Sequence, residues 1–209
     1  ATFTDNAKFF GVAFTDYADF SGATFTDNAQ FSEAKFTDYA QFSEAEFTGS
    51  TDFFGAEFTG TNFVWAKFTG SANFSEAKFI GINFSEAKFT GTNFVWAKFT
   101  RDANFSEAKF TGSANFFGVE FTGDANFSGA TFEEKPIFER ALGDKTCKAR
   151  FSCKTDPEDY NFKVSDNSPC KIETEEKEHK HNGVKFIIPK GTELFDPDEP
   201  FDPEDDDES

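Results

Sequence analysis

The sequence predicts an all-β chain wound as a solenoid, and three observations predict it. Phe is far more abundant than every other aromatic, its positions are evenly spaced, and a small residue precedes nearly every one of them by two positions. Of 209 residues 34 are Phe, against 3 Tyr, 2 Trp and no Met, far from the mixed aliphatic core of an ordinary globular domain. The Phe positions run Phe3, Phe9, Phe14, Phe20, Phe25, Phe31, Phe36, Phe42, Phe47 and Phe53, then onward without a gap to Phe132. A helix would place apolar residues three and four apart, and a flat strand two apart. Neither template fits steps of five and six. A coil that turns a corner after every step does, because Ala and Phe then point inward together and the other residues point out.

Most steps alternate six and five, giving an 11-residue double unit such as Phe25 to Phe36; three units, Phe58 to Phe63, Phe79 to Phe84 and Phe89 to Phe94, are one residue shorter. Ala7, Ala18, Ala34, Ala77 and Ala108 hold the small position, with Val12, Thr51, Thr61, Ile82, Thr92 and Val119 as exceptions. Units such as Ala72-Asn-Phe-Ser-Glu, Ala77-Lys-Phe-Ile-Gly and Ala103-Asn-Phe-Ser-Glu resemble the pentapeptide-repeat family, whose motif is Ala-(Asp/Asn)-(Leu/Phe)-x-x. The resemblance covers roughly residues 1 to 138. It implies a right-handed quadrilateral parallel β-helix with four units per coil, hence roughly six coils and a rod of roughly 30 Å at strand spacing of about 4.8 Å.

The outward positions then sort by face. Thr follows the Phe residues that begin each double unit, with Ile80 the exception, so four units per coil puts Thr ladders on two opposite faces, where stacked Thr suits β-structure. Ser follows the intervening Phe residues, except where Phe10, Phe54, Val64-Trp65, Val95-Trp96 and Phe117 stand. Counting steps places Phe10, Phe54, Val95 and Phe117 on one face and Val64 and Trp65 on the opposite one. Exposed aromatics in a row mark contact surfaces, so Phe10, Phe54, Val64, Trp65, Val95, Trp96 and Phe117 form the candidate interaction surface. Lys67, Lys88 and Lys109 fall on one face and Lys35, Lys78 and Lys98 on its opposite, with Glu33, Glu76, Glu86 and Glu107 two positions before lysines or their equivalents and expected to pair with them.

After Phe132 the ladder ends in Glu-Glu-Lys-Pro, with a short turn or helix expected from Phe138 to Leu142. A solenoid end must be covered, so the expected domains are the solenoid at 1–138, a small, mostly β C-terminal cap at 139–195 and an acidic tail at 196–209. Strands are expected near 147–153, 160–164 and 184–189, between Asp-Pro-Glu-Asp and Asp-Asn-Ser-Pro turns. Phe195 and Phe201 are candidate anchors for the tail. Cys147, Cys153 and Cys170 allow one disulfide plus a spare thiol, or three reduced thiols. No matching cover is visible before Ala1-Thr2-Phe3, which leads to an expectation of head-to-tail stacking.

The search for reaction chemistry is negative. There is no Gly-rich phosphate loop, Ser elbow or His-containing triad. His179 and His181 sit in a charged run that reads as a loop rather than a metal site, and no run of about 18 apolar residues exists to enter a bilayer. The chain is therefore expected to be non-catalytic, with no cofactor and no metal, no nucleic-acid partner and no membrane insertion, and to bind itself or another protein. A structural solenoid that self-assembles into a filament is the first reading. The absence of an initiator Met before Ala1 suggests a processed protein at the cell surface or outside the cell, with a cytoplasmic location as the alternative. The family resemblance implies a second reading, a DNA-mimicking protein that binds a type II topoisomerase. The net charge of −18 bears on it, but residues 1–132 carry only −8, or one charge per about 4 Å of rod against one per about 1.7 Å of duplex.

Overall fold

The computed structural model describes residues 1–180 and 183–199. Each ladder Phe points inward and stacks on the Phe one coil away, which builds four ring columns and a four-sided rod. The first column runs Phe3, Phe25, Phe47, Phe68, Phe89, Phe110 and Phe132, with centroids 4.6 to 5.0 Å apart. The other three begin at Phe9, Phe14 and Phe20. Across the axis the rings meet edge to face, as Phe31 and Phe42 do at 5.8 Å and 90°, the arrangement favoured by the quadrupole of an aromatic ring. With Ala at the flanking inward position, the interior fills with buried rings and methyl groups from Ala23 to Ala149.

The backbone of each coil bonds to the next in parallel register, as Phe31 N to Asp52 O at 2.7 Å and Phe63 N to Asn83 O at 2.7 Å. The Phe3 and Phe9 columns lie beneath one eleven-stranded sheet, and the Phe14 and Phe20 columns beneath a thirteen-stranded one. Most strands are two residues long, such as Ala7–Lys8. Lys67–Asn73 runs through its corner with a register shift between Phe68 and Ser71, and where the first step of a double unit is cut from six residues to five the strand runs through in regular register, in Glu57–Asn62, Lys78–Asn83 and Lys88–Asn93. These are the three shortened units. Six-residue corners instead bulge onto the coil before them, so closely that a Cβ on Gly70 would stand 2.3 Å from the Gly49 carbonyl oxygen and one on Gly112 1.9 Å from that of Thr90.

The turns after the Phe9 and Phe20 columns are tight. The residue two places past each Phe takes positive φ and the next amide returns to the Phe carbonyl, as Ala34 N does to Phe31 O at 3.0 Å. Seven non-Gly residues stand there with φ of 56° to 59°, among them Glu33, Glu86, Trp65 and Trp96. Asn before the Phe holds the turn by accepting from the amide two residues on, as Asn62 Oδ1 from Val64 N at 2.9 Å and Asn83 Oδ1 from Ser85 N at 2.9 Å.

Nothing in the core marks a boundary at residue 138. Phe138, Phe151 and Phe162 stack on Phe116, Phe121 and Phe127, so the columns carry on through segments that leave the rod and return. The first excursion is a hairpin of Glu139–Leu142 with Lys145–Lys148, a strand where a turn or helix was expected. Strands Arg150–Ser152 and Tyr160–Asn161 rejoin the rod. A second hairpin, Thr174–Glu178 with Lys185–Pro189, places the buried side chains of Phe186 and Ile188 against this last layer. Tyr160 is buried there, its hydroxyl donating to Ser152 O at 2.9 Å, and burial pushes its pKa up to about 12. At the other end Phe3, Phe9, Phe14 and Phe20 are partly buried.

Candidate interaction surface

The stacking of turns fixes what stands beside what. Hydrogen bonds from Glu44 N to Val64 O, Trp65 N to Ser85 O and Glu86 N to Ser106 O order one turn column as Gly22, Glu44, Trp65, Glu86, Glu107 and Gly129. On the opposite side the same bonding orders Gly11, Glu33, Gly55, Glu76, Trp96 and Gly118. Each Trp thus occupies a left-handed position that Glu or Gly holds in the neighbouring coils. Trp65 is 50% exposed and Trp96 46%.

Of the seven expected surface residues, Phe10 and Phe54 are exposed, by 65% and 37%. Val64 and Val95 are half-buried beside their Trp residues. Phe117 is a correction: it is only 6% exposed, because the hairpin after Phe138 brings the Arg140 guanidinium 5.6 Å from its ring centroid. Two exposed aromatics escaped the sequence reading, Tyr17 and Tyr39, on the corner between the Phe14 and Phe20 columns. The recurrence of Phe-Thr-Asp-Tyr-Ala at Phe14 and Phe36 was the available signal. The Tyr39 ring lies over Gly60, 3.2 Å from where a Cβ would stand.

The charged ladders on the two remaining faces differ. Above the Phe14 column Lys35, Glu57, Lys78, Lys98, Glu120 and Arg150 are in register and zip together: Glu57 takes Lys35 at 3.4 Å and Lys78 at 3.3 Å, and Glu120 takes Lys98 at 2.9 Å and Arg150 at 3.4 Å. The hydrogen bond from Lys78 holds the Glu57 carboxyl below the usual carboxylate range. Above the Phe3 column the order is Glu46, Lys67, Lys88, Lys109 and Thr131. There Glu46 pairs with Lys67, and among the described residues Lys88 and Lys109 make no ion pair. The pairing expected of Glu33, Glu76, Glu86 and Glu107 is corrected: Lys35 and Lys78 reach across coils to Glu57, while Lys88 and Lys109 make no ion pair among the described residues, because a positive-φ turn separates the two members of each i, i+2 pair. The Thr hydroxyls on these faces are engaged with the carbonyls of the preceding coil, as Thr48 with Thr26 O at 2.8 Å and Thr100 with Phe79 O at 3.1 Å.

Phe195 ends the strand Glu193–Phe195, which adds in parallel to Arg150–Ser152, and the Arg150 guanidinium lies 4.4 Å from its ring centroid. Phe201 and His181 lie outside the described residues. Cys147, Cys153 and Cys170 are free thiols, and burial pushes that of Cys153 up. Among the described residues no three His, Cys, Asp or Glu side chains gather in a group able to hold a metal ion, and no helix is long and apolar enough to cross a membrane.

Two family models, both describing pentapeptide repeats, match the chain, one over residues 31–77 and 94–141 and the other over 71–101. Together they span more than half of it, and the chain belongs to the pentapeptide-repeat family. No curated protein matches it. Among solved structures it is similar to a trypsin-treated form of QnrB1, described as a plasmid-mediated fluoroquinolone resistance protein, at 16% identity and TM-score 0.17, covering 64% of this chain and 90% of that one. A second trypsin-treated QnrB1 form gives 18% identity and TM-score 0.16, with 64% and 88% covered. At such TM-scores the likeness carries no argument about this chain.

Proposed function

We propose that the protein is a non-catalytic binding rod whose sides make the contacts. One observation carries this reading: Trp65 and Trp96 hold exposed, left-handed turn positions where the neighbouring coils use Glu or Gly. The turn itself does not call for an indole, since the strain of a non-Gly residue at positive φ is met equally by Glu in the neighbouring coils. The ring-filled interior supports the same reading, because it leaves the chemistry outside. A photoreactive phenylalanine at position 54 or 65 tests it in the source cells. Cross-links at these positions and not at exposed Thr90 are expected, and equal labelling at all three would overturn it.

A second reading is binding to a type II topoisomerase in place of DNA. It is favoured by where the acid lies: residues 1–56 hold nine acids and two bases. At about 4.8 Å per coil their two and a half coils carry one net charge per about 1.7 Å, the axial density of duplex DNA. Inhibition of topoisomerase supercoiling by the full chain, lost when Asp16, Asp27 and Asp38 become Asn, is the expected outcome. Filament growth by coil-on-coil stacking has less support, because the second hairpin covers the last ring layer.

A further inference from the structure

Residues 58–79 and 89–110 share 20 of 22 positions, differing only where Gly70-Ser71 becomes Arg101-Asp102. They lie one and a half coils apart and so face opposite ways. Their surroundings differ. The Trp96 ring packs on Gly118, whose absent Cβ would come within 2.5 Å of it, and the lysines beyond it are already zipped to Glu57 and Glu120. The Trp65 side is left open. Its turn column reads Trp65, Glu86, Glu107 and, two residues further along each coil, its strand column reads Lys67, Lys88, Lys109. All six side chains are exposed, and Glu86, Glu107, Lys88 and Lys109 make no ion pair among the described residues. Two like-charged stripes therefore run side by side up the rod, at coil spacing. Like charges in register on adjacent strands are destabilising; on the zipped opposite face the one such neighbour pair, Lys78 and Lys98, is relieved because each lysine is held by a Glu of the coil on its other side.

We propose that this corner pairs with the same corner of a second copy of the chain, side by side and parallel. A two-fold axis parallel to the rod, running between the stripes, exchanges them. It sets Trp65 over Lys67 of the second copy, Glu86 against Lys88 and Glu107 against Lys109, each contact occurring twice. A two-fold axis across the rod would set acid on acid, so charge selects the parallel arrangement. The indole supplies desolvated area and a cation–π contact, and the acids and lysines set register. Val64, half-buried beside Trp65, extends the apolar centre.

This proposal rests on the binding-rod reading and names the partner at one of its sites. Sedimentation velocity of the full chain over a concentration series at low salt tests it. The mass is expected to rise from the 23.3 kDa of one chain toward twice that value, with a midpoint that moves to higher concentration as salt screens the stripes. Trp65→Glu places the residue of the adjacent coils in the same turn, so it should keep the melting curve and lose the dimer. The double variant Lys88→Glu with Lys109→Glu should weaken pairing by at least about tenfold. Adding Glu86→Lys and Glu107→Lys to it swaps the stripes and should restore pairing to within about tenfold of the parent. A chain that stays at 23.3 kDa, a dimer indifferent to Trp65→Glu, or a stripe swap that fails to rescue would each overturn the proposal. The cross-linking at positions 54 and 65 is read separately, so a monomeric chain leaves the binding-rod reading to stand or fall on its own test.

Discussion

The first two and a half coils and the central ones share an interior and differ outside. Phe25 stacks on Phe47 at 4.7 Å and Phe79 on Phe99 at 4.6 Å, and all four rings are buried. Yet residues 1–56 carry nine acids and two bases, whereas residues 57–132 carry seven and six. The acidic coils contribute one lysine, Lys35, to the zipped ladder, and the central coils contribute most of the ion pairs. The difference teaches that the fold is set by the inward residues of each repeat, the ladder Phe and the small residue two positions before it, and that the outward ones are free to vary. Stability and recognition sit on separate residues, so they should separate under mutation.

The largest expected effect tests the shared interior. Phe79→Ala, in mid-column, should cost about 3 to 5 kcal/mol in chemical denaturation, and Phe14→Ala about half as much because its ring is only partly buried. Equal losses would mean that the first coil is better covered than its geometry shows. Close coil contact comes next. Gly112→Ala meets the Thr90 carbonyl, while a Cβ at Gly91 meets nothing within 4 Å, so the first should destabilise by about 1 to 3 kcal/mol and Gly91→Ala should be near neutral. Thr51, Thr61 and Thr92 bury hydroxyls with no partner among the described residues, in positions where Ala or Ile82 serves elsewhere. Thr51→Val should therefore stabilise by about 1 kcal/mol, read as a raised melting temperature. The smallest effect concerns the zipped ladder. The lowered pKa of Glu57 means that its contribution is present above the ordinary carboxylate range and is lost as pH falls through the folded value. Glu57→Gln should lower stability slightly at neutral pH and make no difference once the carboxylate would be protonated, so that the variant and parent curves converge below about pH 4.5.

Much of this architecture was legible because the repeat is local. Six- and five-residue steps fix the four columns, and counting them places Trp65 opposite Phe10, Phe54 and Trp96. What was illegible is what the coil brings together across 20 or more residues. The partner of Lys78 is Glu57, one coil away, not Glu76 on its own segment. Phe117 looked exposed because Arg140 reaches it from a hairpin with no repeat signature. The columns continue at Phe151 and Phe162 only after excursions that erase the five-residue rhythm, so a boundary at 138 was drawn where the core has none. Tyr17 and Tyr39 were passed over because they stand in the inserted sixth position of their units, outside the motif.

Native-state hydrogen exchange tests the central claim most directly, by asking whether one interior runs beneath two different surfaces. The amides of Phe42 and Phe53, in the acidic coils, and of Phe84 and Phe94, in the central ones, bond to the next coil at 2.7 to 2.8 Å. A single cooperative rod predicts similar slow exchange for all four. Exchange that is orders of magnitude faster at Phe42 and Phe53 than at Phe84 and Phe94 would contradict it, and would show that the surface charge governs the fold as well as the contacts.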